Sequence, residues 1–335
     1  MTAIDHTFPL IDLHRHLDGS VRLTTILELG RQHHLPLPAW DVDSLRPHIQ
    51  VTQPQAGVME FIRKFQWMVG VMVDYDAVWR IAYENVLDAQ QEGLDYVELR
   101  FSPWFMAEPH QLDAKQVTAA VVDGVRSACL DTGMKASLIG ILSRTYGVDT
   151  AWQELQALLV YADDLVAIDL AGDEANYPGE WFVPHLRLAR EKGLQVTVHA
   201  GEAAGAESIW QAVRELGARR VGHAVAALQD PALIDFLRQE QIGVEANLTS
   251  NVQTSVVPGY AQHPLRNFLE AGLLATINTD DPGISGIDLR YEYEVAAPAA
   301  GLSAEQIHQA QRNALQVAFL SQQEKMTLVE KKRTI

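Results

Sequence analysis

Eight short runs rich in aliphatic and β-branched residues recur along the chain, each followed by a longer stretch. They are 8–14 (FPLIDLH), 95–101 (DYVELRF), 135–142 (KASLIGIL), 165–171 (LVAIDLA), 194–199 (LQVTVH), 219–223 (RRVGH), 242–247 (IGVEAN) and 273–278 (LLATIN). Near-continuous apolar runs suit strands covered on both faces of a parallel sheet. Between them, 76–91, 113–131, 178–192 and 206–216 carry apolar residues at helical spacing. Gly93, Gly133, Gly193 and Gly217 follow these stretches, as glycine does where helices end. Eight strands alternating with helices predict an α/β protein, a (β/α)8 TIM-type barrel forming one domain over 1–335. A doubly wound open sheet would need a G-x-G-x-x-G turn after the first strand, where this chain reads HRHLDGS. Residues 15–94 exceed one crossover and predict two or three extra helices over the barrel mouth, including 58–71. The tail, 290–333, predicts two or three more.

Composition narrows the function. The net charge is −17, from 26 Lys and Arg against 43 Asp and Glu. Such a chain is a poor partner for nucleic acid or an anionic membrane, and suits a neutral or cationic small molecule. The single cysteine, Cys129, excludes an intramolecular disulfide. With no secretory pattern in 1–8, this points to the cytoplasm. No uncharged apolar segment approaches the ~18 residues of a membrane helix, and nothing signals a protein partner.

Barrel enzymes build their sites at the C-terminal ends of the strands. Five of the eight ends here carry His or a carboxylate. The first run closes on His14, Arg15 and His16. The fourth leads into Gly172, Asp173 and Glu174, and the fifth into His199 and Glu202. The sixth ends at His223, and the eighth leads to Asp280 and Asp281. Positions i and i+2 of a strand face one side, so His14 and His16 can address one ion; the alternative is a surface pair in a loop. His199 adds a third imidazole, and Asp280 an oxygen from a strand that closes onto the first. Three His and one carboxylate, with room for water, suit a catalytic Zn2+, although the ligand types also admit Fe2+ or Mn2+. Glu202 is expected beside the ion, where shielding from water raises a carboxyl pKa and lets it donate a proton. The alternative is a solvated loop Glu. His223 is expected to orient or deprotonate the attacking water, unless it is a buried His bonded to a neighbouring strand. Adjacent carboxylates at a buried strand end repel without a cation, so one of Asp280 and Asp281 binds metal and the other faces substrate.

The HRHLDGS, HAGE, SNVQT and TDDPG stretches, in this order between His14 and Asp281, resemble the adenosine deaminase family of the amidohydrolase superfamily. The resemblance covers nearly the whole chain. It implies one zinc per chain, held by His14, His16, His199 and Asp280. It implies Glu202 as proton donor to purine N1 and His223 as the group acting on the attacking water. Substrate contacts follow from His16, Asp18, the Gly172 backbone and Asp281. The implied reaction is hydrolytic deamination of adenosine, and of 2′-deoxyadenosine, to inosine or deoxyinosine plus ammonia in purine salvage. The alternative is an adenine deaminase or another hydrolase of the superfamily. Adenine-preferring relatives carry Glu in an H-L-E-G version of the first motif, where this chain has Asp18. An Asp there either accepts from the ribose 5′-hydroxyl or caps the following helix. Two positions depart from the family pattern: Ala224 stands where Gly is usual after the strand-six His, and Asn247 where Cys is frequent. Strand four lacks the Lys that bridges two metals in binuclear relatives, which favours one ion. The single Cys excludes the zinc deaminases built on P-C-x-x-C.

Overall fold

Period-2 alternation decides what the first strand presents. In the computed structural model, which describes residues 3–333, β1 is Ile11–His16. Ile11 and Leu13 pack outward against Ala314, Leu315 and Leu328 of the C-terminal helices. Asp12, His14 and His16 alternate with them. The strand starts three residues later than the apolar run and includes both histidines. A register irregularity lies between Asp12 and Arg15.

The other strands are β2 (Tyr96–Phe101), β3 (Lys135–Ser143), β4 (Leu165–Ala171), β5 (Gln195–Ala200), β6 (Arg220–His223), β7 (Gly243–Ala246) and β8 (Leu274–Ile277). They follow one another in chain order in one sheet, and every pairing from β1 to β8 is parallel. The sheet closes through a parallel bridge between Arg15 and Asp280. There the His16 N–H donates to the Asp280 carbonyl at 2.7 Å, and the Asp280 N–H donates to the His14 carbonyl at 2.8 Å. This is the (β/α)8 barrel that the alternation predicted.

The interior departs from the apolar expectation. Glu98, Arg100, Asp169, Arg220 and Glu245 are all fully buried. All but Arg220 sit inside runs whose remaining members are mostly apolar, because alternate residues of a barrel strand face the axis. At the N-terminal end of the barrel, Arg220 pairs with Glu98 and Glu245, and its guanidinium lies 3.6 Å from the Phe319 ring centroid. Residues 317–319 seal that end, with the Arg220 guanidinium donating to the Val317 carbonyl and the Phe319 N–H to Glu98.

Helix caps set the outer ring. Tyr75–Gln91 starts on Asp74, which accepts from the Ala77 N–H. Ala114–Thr132 starts on Asp113 and ends at left-handed Gly133. The 58–71 stretch is not one helix. It divides into Val58–Ile62, a 3-10 turn Arg63–Phe65, and Gln66–Val69, after an N-cap glycine that offers no side chain. Its buried residues, Phe61, Phe65, Met68 and Val69, keep helical spacing through the tightened turn. A 3-10 turn, Gly179–Phe182, precedes Val183–Glu191, and Ala206–Gln211 continues as a π-helical turn to Leu216. Pro282 opens a short helix, Pro282–Ser285. The tail adds Ala304–Val317 and Gln322–Arg333 after three short pieces. Among the described residues no helix is long and apolar enough to cross a membrane.

Candidate active site

Four side-chain atoms converge where β1, β5 and β8 end. His14 Nε2 lies 3.0 Å from Asp280 Oδ1 and 3.1 Å from His199 Nε2. His16 Nε2 lies 3.3 Å from each of the same two atoms. The far nitrogens of two rings are spoken for. His14 Nδ1 is 2.7 Å from Glu245 Oε2, and His199 Nδ1 is 3.0 Å from Asp169 Oδ2. Carboxylates only accept, so both Nδ1 atoms carry a proton, and the neutral form of each ring would turn a bare Nε2 to the centre. Burial pushes His199 down to about 3, outweighing Asp169, so the ring is neutral. With both rings neutral, two nitrogen lone pairs 3.1 Å apart repel, and no hydrogen lies between them to relieve it. A cation placed among the four atoms removes the conflict. Four of the separations among these atoms, 3.0–3.3 Å, also approach the ~3.4 Å between tetrahedral ligands held about 2.1 Å from zinc. The residues present therefore fit a metal ion.

His223 reaches the same cluster. A second set of mutually close ligand atoms consists of His14, His199, His223 and Asp280. His223 Nε2 lies 3.8 Å from Asp280 Oδ2, and Nδ1 lies 3.5 Å from Glu202 Oε1. His223, Ala224 and Asp280 all hold left-handed backbone, with φ of 63°, 52° and 63°. This explains why glycine suits the position after the strand-six histidine: it bears no Cβ cost there. Asn247, the other departure, contacts His223. Its Nδ2 is 3.3 and 3.4 Å from the two ring nitrogens, a donor over the ring rather than in line with one lone pair.

Glu202 is half-buried beside the cluster, with its side chain 9% exposed, not a solvated loop Glu. Burial first, then the Asp280 and Glu174 carboxylates, push its pKa up to about 8. Its loop hangs on Glu174, which follows β4. The Glu174 carboxylate accepts from the backbone N–H groups of Gly201, Glu202, Ala203 and Ala204, at 2.6–3.1 Å, and from the Ser208 hydroxyl. Four consecutive amides turned onto one carboxylate fix where the Glu202 side chain leaves the backbone.

Asp281 sits over Gly19. A Cβ on Gly19 would fall 1.9 Å from Asp281 Oδ1, so only glycine admits this approach. Burial and the neighbouring Asp280 hold Asp281 well above the usual carboxyl range. Asp280 behaves oppositely: His14, His223 and His16 outweigh its burial and hold it well below. Asp18 does not cap the next helix, whose N-cap is Arg22 and carries no side-chain bond. Asp18 Oδ2 accepts from the Ser102 N–H, while its buried Oδ1 has no hydrogen-bond partner. His16, Asp18 and Gly172 share a cavity whose other walls include Ile62, Phe65 and Phe105.

The family model described as "Adenosine deaminase" matches residues 9–334. This chain belongs to the adenosine deaminase family. An adenosine deaminase of Edwardsiella ictaluri is 56% identical over 330 residues, covering 98% of this chain and 99% of that one. Its reaction is the deamination of adenosine to inosine, and the adenine deaminase alternative is not favoured. Two solved structures share the fold over 98% of the chain. An adenine deaminase of Arthrobacter aurescens is 23% identical with a TM-score of 0.89 and 98% of its own chain covered. An amidohydrolase of Burkholderia ambifaria with bound Zn is 24% identical with a TM-score of 0.87, with 92% covered.

The sequence reading missed the residues that brace the site: Glu245, Asp169 and Arg100 behind the histidines, Asn251 and His263 behind His223, and Glu174 in its clamping role. The signal for Glu245 and Asp169 was a lone charge inside an apolar strand, and for Arg100 a charge two residues after Glu98 in β2. For Glu174→Gln, an amide nitrogen must face backbone donors, and we expect amides 201–204 to lose their protection from hydrogen exchange. Peptide-level exchange read by mass spectrometry checks this. Unchanged protection would show that the loop holds itself.

Proposed function

We propose that His14, His16, His199 and Asp280 hold one zinc ion, that Glu202 is the general acid, and that His223 acts on the attacking water. The observation that carries this reading is the facing pair of Nε2 lone pairs, closed into a four-atom cage by His16 and Asp280. A zinc ion held by these residues would lower the pKa of a bound water toward ~7 and so would supply a nucleophile at neutral pH. The whole chain, 1–335, works as one catalytic domain in the cytoplasm on a free purine nucleoside, with no nucleic acid, membrane or protein partner.

The purine is held by groups of matching polarity. Ring nitrogens N1 and N7 are acceptors, so both partners must carry protons. Glu202, with its pKa near 8, is a neutral acid at pH 7 and protonates N1 as water adds at C6. Asp281, raised by burial and by Asp280, is likewise protonated and donates to N7. Gly172 offers its backbone at a φ of 110°, where a Cβ would strike Thr145 Oγ1 at 2.4 Å. His16 lines the same cavity. The free Asp18 oxygen accepts from the ribose 5′-hydroxyl. Since that contact leaves the 2′ position unread, 2′-deoxyadenosine is a substrate too.

Three outcomes test the reading. His199→Ala removes one of four ligands, and elemental analysis of the folded variant should find most of the zinc gone. Full zinc occupancy would sink the ligand assignment. Glu202→Gln should keep its zinc and lose at least ~10²-fold in kcat, the scale of general acid catalysis. The acid works only while protonated, so wild-type kcat should fall as pH rises through about 8. A wild-type profile flat to well above that pH would assign the proton to another group. Finally, kcat/KM for adenosine should exceed that for adenine by at least ~10²-fold, because adenine leaves the buried Asp18 oxygen unpaired. Side-by-side kinetics decide this, and equal efficiencies would remove Asp18 from ribose recognition.

A further inference from the structure

We propose that His263 and Asn251 are positioning residues that fix His223 as a hydrogen-bond donor toward the attacking water and keep it off the metal. The inference rests on the reading of His223 given under Proposed function, but its evidence is a separate chain of hydrogen bonds.

The chain starts from a group that can only donate. The Leu265 backbone N–H points at His263 Nδ1, 3.1 Å away. His263 Nδ1 therefore presents a lone pair. Burial, with His223 nearby, takes His263 down to about 3, so the ring is neutral and its one proton is on Nε2. That Nε2 lies 3.0 Å from Asn251 Oδ1, which accepts. The Asn251 amide is thereby oriented, and its Nδ2 donates to His223 Nδ1 at 2.9 Å. A His223 whose Nδ1 accepts can carry its proton only on Nε2. This is the nitrogen that faces Asp280 Oδ2 and the ligand cluster.

The contrast with its neighbours is complete. His14 and His199 back onto carboxylates and turn lone pairs to the centre. His223 backs onto an amide N–H and turns a proton to it. Partners behind a histidine choose its tautomer. Although His223 lies within ligand reach, its Nε2 has no lone pair to offer a metal. For the same reason it cannot take a proton from water without first losing its own. It can donate to the water oxygen and aim a lone pair at C6.

Two-bond 1H–15N spectra of the labelled full-length protein, zinc-free and zinc-loaded at mildly alkaline pH, read the tautomer directly. We expect His223 to be protonated at Nε2 and bare at Nδ1 in both states, and His263 likewise. Protonation of His223 at Nδ1 in the wild type would overturn the proposal. Asn251→Asp presents acceptors only, so His223 should switch to the Nδ1–H form. The variant should keep its zinc and lose at least ~10²-fold in kcat, with little change in KM. A variant that folds and shows no tautomer switch would overturn the relay. The wild-type spectrum needs no variant to fold. The expected tautomer in a protein that neither binds zinc nor deaminates adenosine would sustain the relay and overturn the reading of the site.

Discussion

The guanidinium of Arg100 joins the two halves of the candidate metal site. It donates to Asp169 Oδ2 at 2.7 Å and to Glu245 Oε2 at 2.9 Å, with all three side chains fully buried. Those carboxylates are the ones that hold His199 and His14 by their Nδ1 atoms. Arg100 and Arg220 keep Glu245 ionised, outweighing the burial that would protonate it. Charges without Arg100 would be stranded at a depth where breaking a buried pair costs about 3–5 kcal/mol. Apolar packing would stabilise a barrel interior at least as well. What the ionic interior adds is direction: each carboxylate is set in place to accept from a ring nitrogen, and the opposite nitrogen of each ring then faces the centre bare.

Closure of the barrel and assembly of the site use the same hydrogen bonds. The backbone of Asp280 exchanges bonds with His14 and His16, so the last strand cannot close without bringing the carboxylate to the histidines. The geometry demands left-handed backbone at His223, Ala224 and Asp280. Such conformations cost of order 1–3 kcal/mol each and persist only where the surroundings over-determine them. Paired strands on both sides and a sealed N-terminal end supply that surrounding stiffness. Ala224 accepts the strain without the relief a glycine would bring.

Much of this was legible in the chain. Strand number, order and approximate bounds followed from the apolar runs, because parallel strands covered on both faces leave that trace. The ends of those runs gave His14, His16, His199, His223, Asp280 and Asp281, since site residues in a barrel collect there. The bracing residues were hidden for a physical reason. Glu98, Arg100, Asp169 and Glu245 each stand alone among apolar neighbours, and a sequence does not say whether such a charge faces solvent or the barrel axis. Glu174 stood in view at a strand end, yet its role depends on a loop 27 to 30 residues further on. His263 lies outside every run, and only the fold brings it against Asn251. The break in 58–71 was hidden too, since its apolar spacing continues across the tightened turn.

Charge at the site is partitioned as finely as geometry. Asp280, Asp281 and Glu202 crowd one small volume, and their mutual repulsion is settled by ionising one and protonating two. The ionised one faces the cluster of imidazoles; the protonated two are the groups proposed to meet the purine. The three arginines that reach the barrel strands behind the site are committed elsewhere. Arg100 is committed to Asp169 and Glu245, and Arg15 to Glu92. Arg144 donates to the carbonyls of Leu170, Tyr177 and His199. If Asp18 meets the ribose 5′ position as proposed, a phosphate there would face its carboxylate, whose Oδ1 has no hydrogen-bond partner and lies 3.7 Å from His16 Nδ1. The guanidiniums that might have bound a nucleotide are spent on holding the barrel and the strand ends in place. Preference for an uncharged nucleoside, as proposed above, would thus follow from how the site is braced.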